Sequence, residues 1–155
     1  MRHARGILVG LFLDRWVRSF MRQTRYPSRQ HDSYPTMNRL IRSISGIRGI
    51  VGETLLPGTV VTYVSAFARW CGGGPVVLGS DGRPHGRVLT DLARAALQFA
   101  GIDVIECGVV PTPTVQLITE HSPARGGIAI TASHNPAQWN GLKFLGAAGV
   151  FLDAD

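Results

Sequence analysis

The chain has 155 residues, 45% hydrophobic and 17% charged, which is enough for one domain with a real core and ordinary for a globular enzyme. Its two cysteines, Cys71 and Cys107, form no metal-spaced pair and no disulfide framework, so both read as small core residues in a reducing compartment. The net charge of +6 is unevenly placed: residues 1–36 hold seven arginines against Asp14 and Asp32, or +5, while residues 37–155 carry only +1.

In the basic leader, Ile7, Leu8, Leu11, Phe12, Trp16, Phe20 and Met21 interleave with arginines, a pattern open to a basic amphipathic helix such as a transit peptide or membrane-surface anchor. The apolar run 7–13 is far too short to span a bilayer, and Asp14-Arg15 follows it without a small-residue cleavage pattern. The reading favoured here starts the protein at Met37, with Met1 and Met21 as the other candidates.

Strands and helices alternate from there. Residues 42–51 read as an opening extended segment. Leu56-Pro57-Gly58-Thr59 then signals a helix start, with Val60, Tyr63, Val64, Phe67 and Cys71 at helical spacing. Gly72-Gly73-Gly74 stops that helix and precedes a strand instead of opening a helix, so it is not a phosphate-cradling loop. Residues 75–79 form a buried strand, and Val88, Leu89, Leu92, Ala95, Ala96 and Phe99 the inner stripe of a second helix ended by Gly101. A strand over 104–107, a short helix over 114–120 and a strand over 127–131 complete the pattern. The alternation predicts an α/β domain of three layers, a mostly parallel sheet covered by helices on both faces.

Directly after the last strand comes Thr131-Ala132-Ser133-His134-Asn135-Pro136, a hydroxyl, an imidazole and an amide in one turn. A serine hydroxyl is a weak nucleophile unless a base, cation or metal stands beside it, and ligands of open α/β sheets gather where strands end in loops. Pro136 biases Asn135 away from the helical region and holds the turn open. Ser, Asn and Pro are equally the ordinary residues of a plain turn closing a strand.

The six residues, with Gln138-Trp139-Asn140-Gly141-Leu142-Lys143-Phe144 after them, resemble the phosphoserine loop of the α-D-phosphohexomutases, the family of phosphoglucomutase, phosphomannomutase and phosphoglucosamine mutase. Ser45-Gly46-Ile47-Arg48-Gly49 is similar to the family's N-terminal G-I-R-G stretch, Gly79-Ser80-Asp81-Gly82-Arg83 to its G-x-D-x-R strand end, and Pro111-Thr112-Pro113-Thr114 to its T-P connection. The resemblance covers residues 39–155, in family order, and implies domain I of that family over 37–155, incomplete at its C-terminal end.

The resemblance implies that Ser133 carries a phosphoryl group and donates it to a hexose monophosphate. The resulting bisphosphate reorients and returns its other phosphate, moving phosphate between the 1- and 6-positions of the sugar. Ser133, His134, Arg48 and Lys143 are the implied catalytic set, with Arg48, Asn135 and Lys143 as phosphate ligands, because cations and donors offset charge on a transferring phosphoryl group. His134 can hydrogen-bond the phosphate, tune the loop or exchange a proton, while Asn135 reads as a brace of the turn. Asp81 and Arg83 read as an ion pair or turn at the sheet edge, outside the catalytic set; Ser80 stands where many members have a basic residue. His121 reads as surface.

The implied cofactor is Mg²⁺, bridging an oxygen of phosphorylated Ser133 and a carboxylate cluster. That cluster belongs to a D-G-D-x-D-[RK] loop in a second domain, and neither it nor the later sugar-reading and phosphate-binding domains lies within these residues, so the expectation is a fragment with little mutase activity alone. Residues 43–49 and Gln138-Trp139-Asn140 are most similar to bacterial members acting on glucosamine or mannose phosphates, with a lean to glucosamine. The implied partners are a hexose phosphate and its bisphosphate, in the cytoplasm, with no nucleic acid and no membrane span. The alternative is a non-catalytic remnant whose basic leader contacts membrane or nucleic acid through non-specific charge.

Overall fold

The computed structural model describes residues 40–152, so the leader and its predicted helix lie outside the described residues. The elements in chain order are β1 (Ile41–Ser43), β2 (Gly46–Ile50), α1 (Pro57–Cys71), β3 (Val76–Ser80), α2 (Gly86–Phe99), β4 (Val104–Val109), α3 (Thr112–Glu120), β5 (Gly126–Ile130) and β6 (Trp139–Gly146). The strands make one sheet in the order β1-β2-β6-β5-β3-β4.

The α/β class is as the alternating pattern implied, and the sheet itself is mixed. β4, β3 and β5 are parallel, whereas β5–β6, β6–β2 and β2–β1 are antiparallel. The antiparallel half has two sources that the sequence pattern did not resolve. The opening segment folds back on itself as the β1–β2 hairpin, where Gly46 sits at φ 131° and a Cβ would fall 2.0 Å from the Leu142 carbonyl oxygen. β6 follows the serine turn and inserts between β5 and β2.

Helices cover both faces. On one face α1 and α2 pack together over Val76, Leu78, Ile128, Ile130, Leu142 and Phe144. On the other, Val115 of α3 meets Val77, Ala129 and Leu145. Each fully buried side chain of this size contributes about 1.5–3 kcal/mol relative to exposure. Within α1 the expected stripe is present, with Val60, Tyr63, Val64 and Phe67 buried and Cys71 half-buried, and the Phe67 ring centroid lies 5.0 Å from that of Phe144. Gly72 ends the helix in the left-handed region at φ 67°.

The inner stripe of α2 is rotated from the expected one. Leu89, Thr90, Ala93, Ala96 and Leu97 are buried, whereas Val88, Ala95 and Phe99 face outward, Phe99 at 96% exposure. Leu89 and Leu97 face inward together with the small residues Thr90 and Ala93, on a helix that packs against both α1 and β3. Among the described residues no helix is long and apolar enough to cross a membrane.

Candidate active site at the end of β5

β5 is buried along its whole length and ends at Ile130, where the chain turns over residues 131–138 before returning as β6. Thr131 donates its N–H to the Gly141 carbonyl at 3.0 Å, so the loop opens from a paired strand end. Thr131 and Ala132 are buried, while Ser133 and His134 are exposed. Among the described residues Ser133 is the only non-glycine at positive φ, 57°. A left-handed conformation costs an L-residue about 1–2 kcal/mol, so something must hold it there.

The holding groups are visible on both sides of Ser133. Its N–H donates to Thr131 Oγ1 at 2.9 Å. Its carbonyl accepts from Arg83 Nη2 at 2.7 Å, and the same nitrogen donates to the Asn135 carbonyl at 2.7 Å. Arg83 Nη1 donates to the carbonyls of Pro136 at 2.8 Å and Trp139 at 3.0 Å. Its Nε stands 3.3 Å from Asp81 Oδ2, and Asp81 is itself tied to the site by donating its N–H to the Ile130 carbonyl at 3.0 Å. The G-S-D-G-R segment at the end of β3 therefore fastens the serine loop. Sequence alone reads this pair as a sheet-edge turn; the cue is an arginine two residues beyond an aspartate at a strand end, and its target emerges only from the β3–β5 pairing.

Of the residues expected at the site, Ser133 and His134 of the catalytic set and the phosphate ligand Asn135 lie together in one turn, with Ser133 Oγ 3.5 Å from His134 Nδ1. Arg48, from β2, joins them by donating from Nη1 to Asn135 Oδ1 at 3.2 Å. The pairing of Arg48 with Gly141 across β2–β6 brings it here from 87 residues away in sequence. Lys143 lines a groove with Ser43, Ser45, Arg48, Thr131 and Ala132. Its Nζ lies 5.1 Å from the Phe151 ring centroid, a cation–π contact. The arrangement places Arg48 beside the serine turn and sets Arg48 and Lys143 in a groove that Thr131 and Ala132 also line, suited to an anionic group.

The remaining candidate groups are accounted for differently. Burial pushes the Cys71 thiol up to about 12, against a smaller opposing pull from Arg125, and burial followed by the Glu106 carboxylate raises that of Cys107. Neither thiol is thereby suited to act as a nucleophile. His121 lies at the end of α3, exposed, with Nδ1 3.0 Å from the Leu117 carbonyl oxygen. No cluster of three or more His, Cys, Asp or Glu converges among the described residues, and Asp81 is engaged with Arg83. These side chains do not make a Mg²⁺ site by themselves.

The family model described as phosphoglucomutase/phosphomannomutase, alpha/beta/alpha domain I, matches residues 39–155. The phosphoglucosamine mutase of Synechococcus elongatus is 44% identical over 113 residues, covering 70% of this chain and 24% of that protein. A probable phosphoglucosamine mutase of Methanosphaera stadtmanae is 40% identical over 113 residues, covering 72% of this chain and 25% of the relative. Among solved structures, a putative phosphomannomutase from Thermus thermophilus superposes with a TM-score of 0.66 at 33% identity, over 71% of this chain and 26% of that one. The chain thus spans about a quarter of the length of the relatives it matches. Matched over most of its residues and by its fold, the chain belongs to the phosphoglucomutase/phosphomannomutase family, as its α/β/α domain I.

Proposed function

We propose that Ser133 is a phosphoryl carrier in a hexose-phosphate mutase reaction, with glucosamine phosphate as the substrate class. The observation that carries this reading is the left-handed Ser133, exposed at the end of β5 and pinned through both flanking peptides. Such geometry presents a hydroxyl outward at a strand end, where a phosphate can approach. The names of the curated relatives, phosphoglucosamine mutases, support the amino-sugar assignment.

In the first half-reaction the bond from Ser133 Oγ to phosphorus breaks as a sugar hydroxyl oxygen bonds to phosphorus. Ser133 Oγ takes up a proton from His134, whose Nδ1 lies 3.5 Å away, as the bond to phosphorus breaks, and the sugar hydroxyl gives its own proton to solvent. Arg48 and Lys143 offset charge on the phosphoryl oxygens, and Asn135 keeps Arg48 at the loop. The second half-reaction is the reverse, with the sugar's other phosphate going to Ser133. Mg²⁺, expected from the family resemblance, would neutralise charge on the phosphoryl group when bound, and phosphorylated Ser133 would offer it one oxygen. We place the reaction in the cytoplasm, in keeping with two free cysteines.

Because the chain spans about a quarter of its relatives, the test reads phosphate on Ser133 instead of full interconversion. Incubation with glucosamine 1,6-bisphosphate, followed by peptide mass mapping, should place one phosphoryl group on Ser133 and none elsewhere. Labelling that survives Ser133→Ala would refute the carrier role.

A further inference from the structure

Arg83 carries five N–H donors: the four on Nη1 and Nη2 are hydrogen-bonded, and Nε stands in an ion pair with Asp81. The two Nη2 donors meet the carbonyls of Ser133 and Asn135, the two Nη1 donors those of Pro136 and Trp139, and Nε faces Asp81. Its side chain is only 13% exposed. A guanidinium so saturated has no donor left for a phosphate, which distinguishes it from Arg48, whose only hydrogen bond to the described residues is that from Nη1 to Asn135.

We infer that Arg83 is the positioning residue of the nucleophile: it acts through the main chain of the loop to hold Ser133 in its left-handed conformation. The conformation is defined by two peptide planes. The one before Ser133 is fixed by its N–H on Thr131 Oγ1, and the one after it by its carbonyl on Arg83. The three further carbonyls on the same guanidinium carry this constraint along the loop to the start of β6. Asp81 supplies the counter-charge and fixes the orientation of the fork, with Oδ1 accepting the Arg83 N–H at 3.1 Å and Oδ2 facing Nε. A lysine, with three donors in a tetrahedral array and no planar fork, cannot reproduce the pattern. The consequence for phosphoryl transfer rests on the function proposed above; the consequence for the loop does not.

The test uses the 155-residue chain and its Arg83→Lys variant, with amide hydrogen exchange followed residue by residue. The N–H groups of Ser133, Asn135 and Trp139, bonded to Thr131, Ala132 and Pro136, should exchange faster by about tenfold or more in the variant, while those of Ile128 and Leu142 keep their protection. Asp81→Asn should produce a smaller acceleration at the same three amides. Unchanged exchange in the loop, or acceleration spread equally through β5 and β6, overturns the inference. In parallel, Ser133 phosphorylation by glucosamine 1,6-bisphosphate should slow by about a hundredfold in Arg83→Lys at saturating donor, with the half-saturating concentration within about twofold. A wild-type chain that takes up no phosphate sinks the proposed function and leaves the exchange experiment to decide the role of Arg83.

Discussion

Arg83 and Ser133, fifty residues apart in sequence, are joined by a 2.7 Å hydrogen bond from the guanidinium to the serine's own carbonyl. This contact makes the end of β3 a support for the loop at the end of β5, two strands that lie side by side in parallel. The hydroxyl is thereby presented by a frame in which the sheet topology, the turn and a saturated cation all agree.

The strain at Ser133 predicts an inverted order of stability for small substitutions. Ser133→Gly relieves a left-handed conformation that Ser133→Ala retains, so the Gly variant should be the more stable of the two by about 1 kcal/mol, against the usual advantage of alanine. Urea midpoints of the two variants measure this, and equal midpoints would show that φ 57° carries no cost.

Removing charge from the groove should affect phosphoryl transfer more than folding. Arg48→Gln, which keeps a donor near Asn135, and Lys143→Met, which keeps the apolar contact with Phe151, should each slow Ser133 phosphorylation by about a hundredfold or more. Each should shift unfolding free energy by only about 0.5 kcal/mol. Wild-type labelling rates in either variant would remove that side chain from the site.

Cys71 predicts a pH dependence. Burial raises its thiol from 9.0 to about 12, so the folded chain holds the proton more tightly than the unfolded one. Its contribution to stability is complete below 9.0 and is lost as pH rises through the interval to about 12. Cys71→Ala should therefore flatten the alkaline decline in stability relative to wild type over that interval, measured by urea unfolding at successive pH values. Parallel declines would contradict the burial of this thiol.

Local pattern carried much of this fold and stopped where partners are distant. The apolar spacing of Val60, Val64 and Phe67 marked the buried face of α1, and the apolar runs of β3 and β5 marked the middle of the sheet. β6 escaped notice because Asn140 and Gly141 read as turn residues; their burial comes from sitting between β2 and β5. In α2, Val88 and Phe99 are as apolar as the residues facing inward, and packing against α1 decides between the stripes. The serine turn itself was legible as a motif, and so were the segments that carry Arg48 and Lys143. The clamp was not, because the acceptors of Arg83 are main-chain carbonyls, which every sequence has.

Phosphopeptide mapping after incubation with glucosamine 1,6-bisphosphate tests the central claim most directly. The account predicts a single phosphoryl group on Ser133, absent in Ser133→Ala and transferred back to a hexose monophosphate on its addition. Phosphate on another residue, or a wild-type Ser133 that stays unmodified at saturating donor, would contradict it.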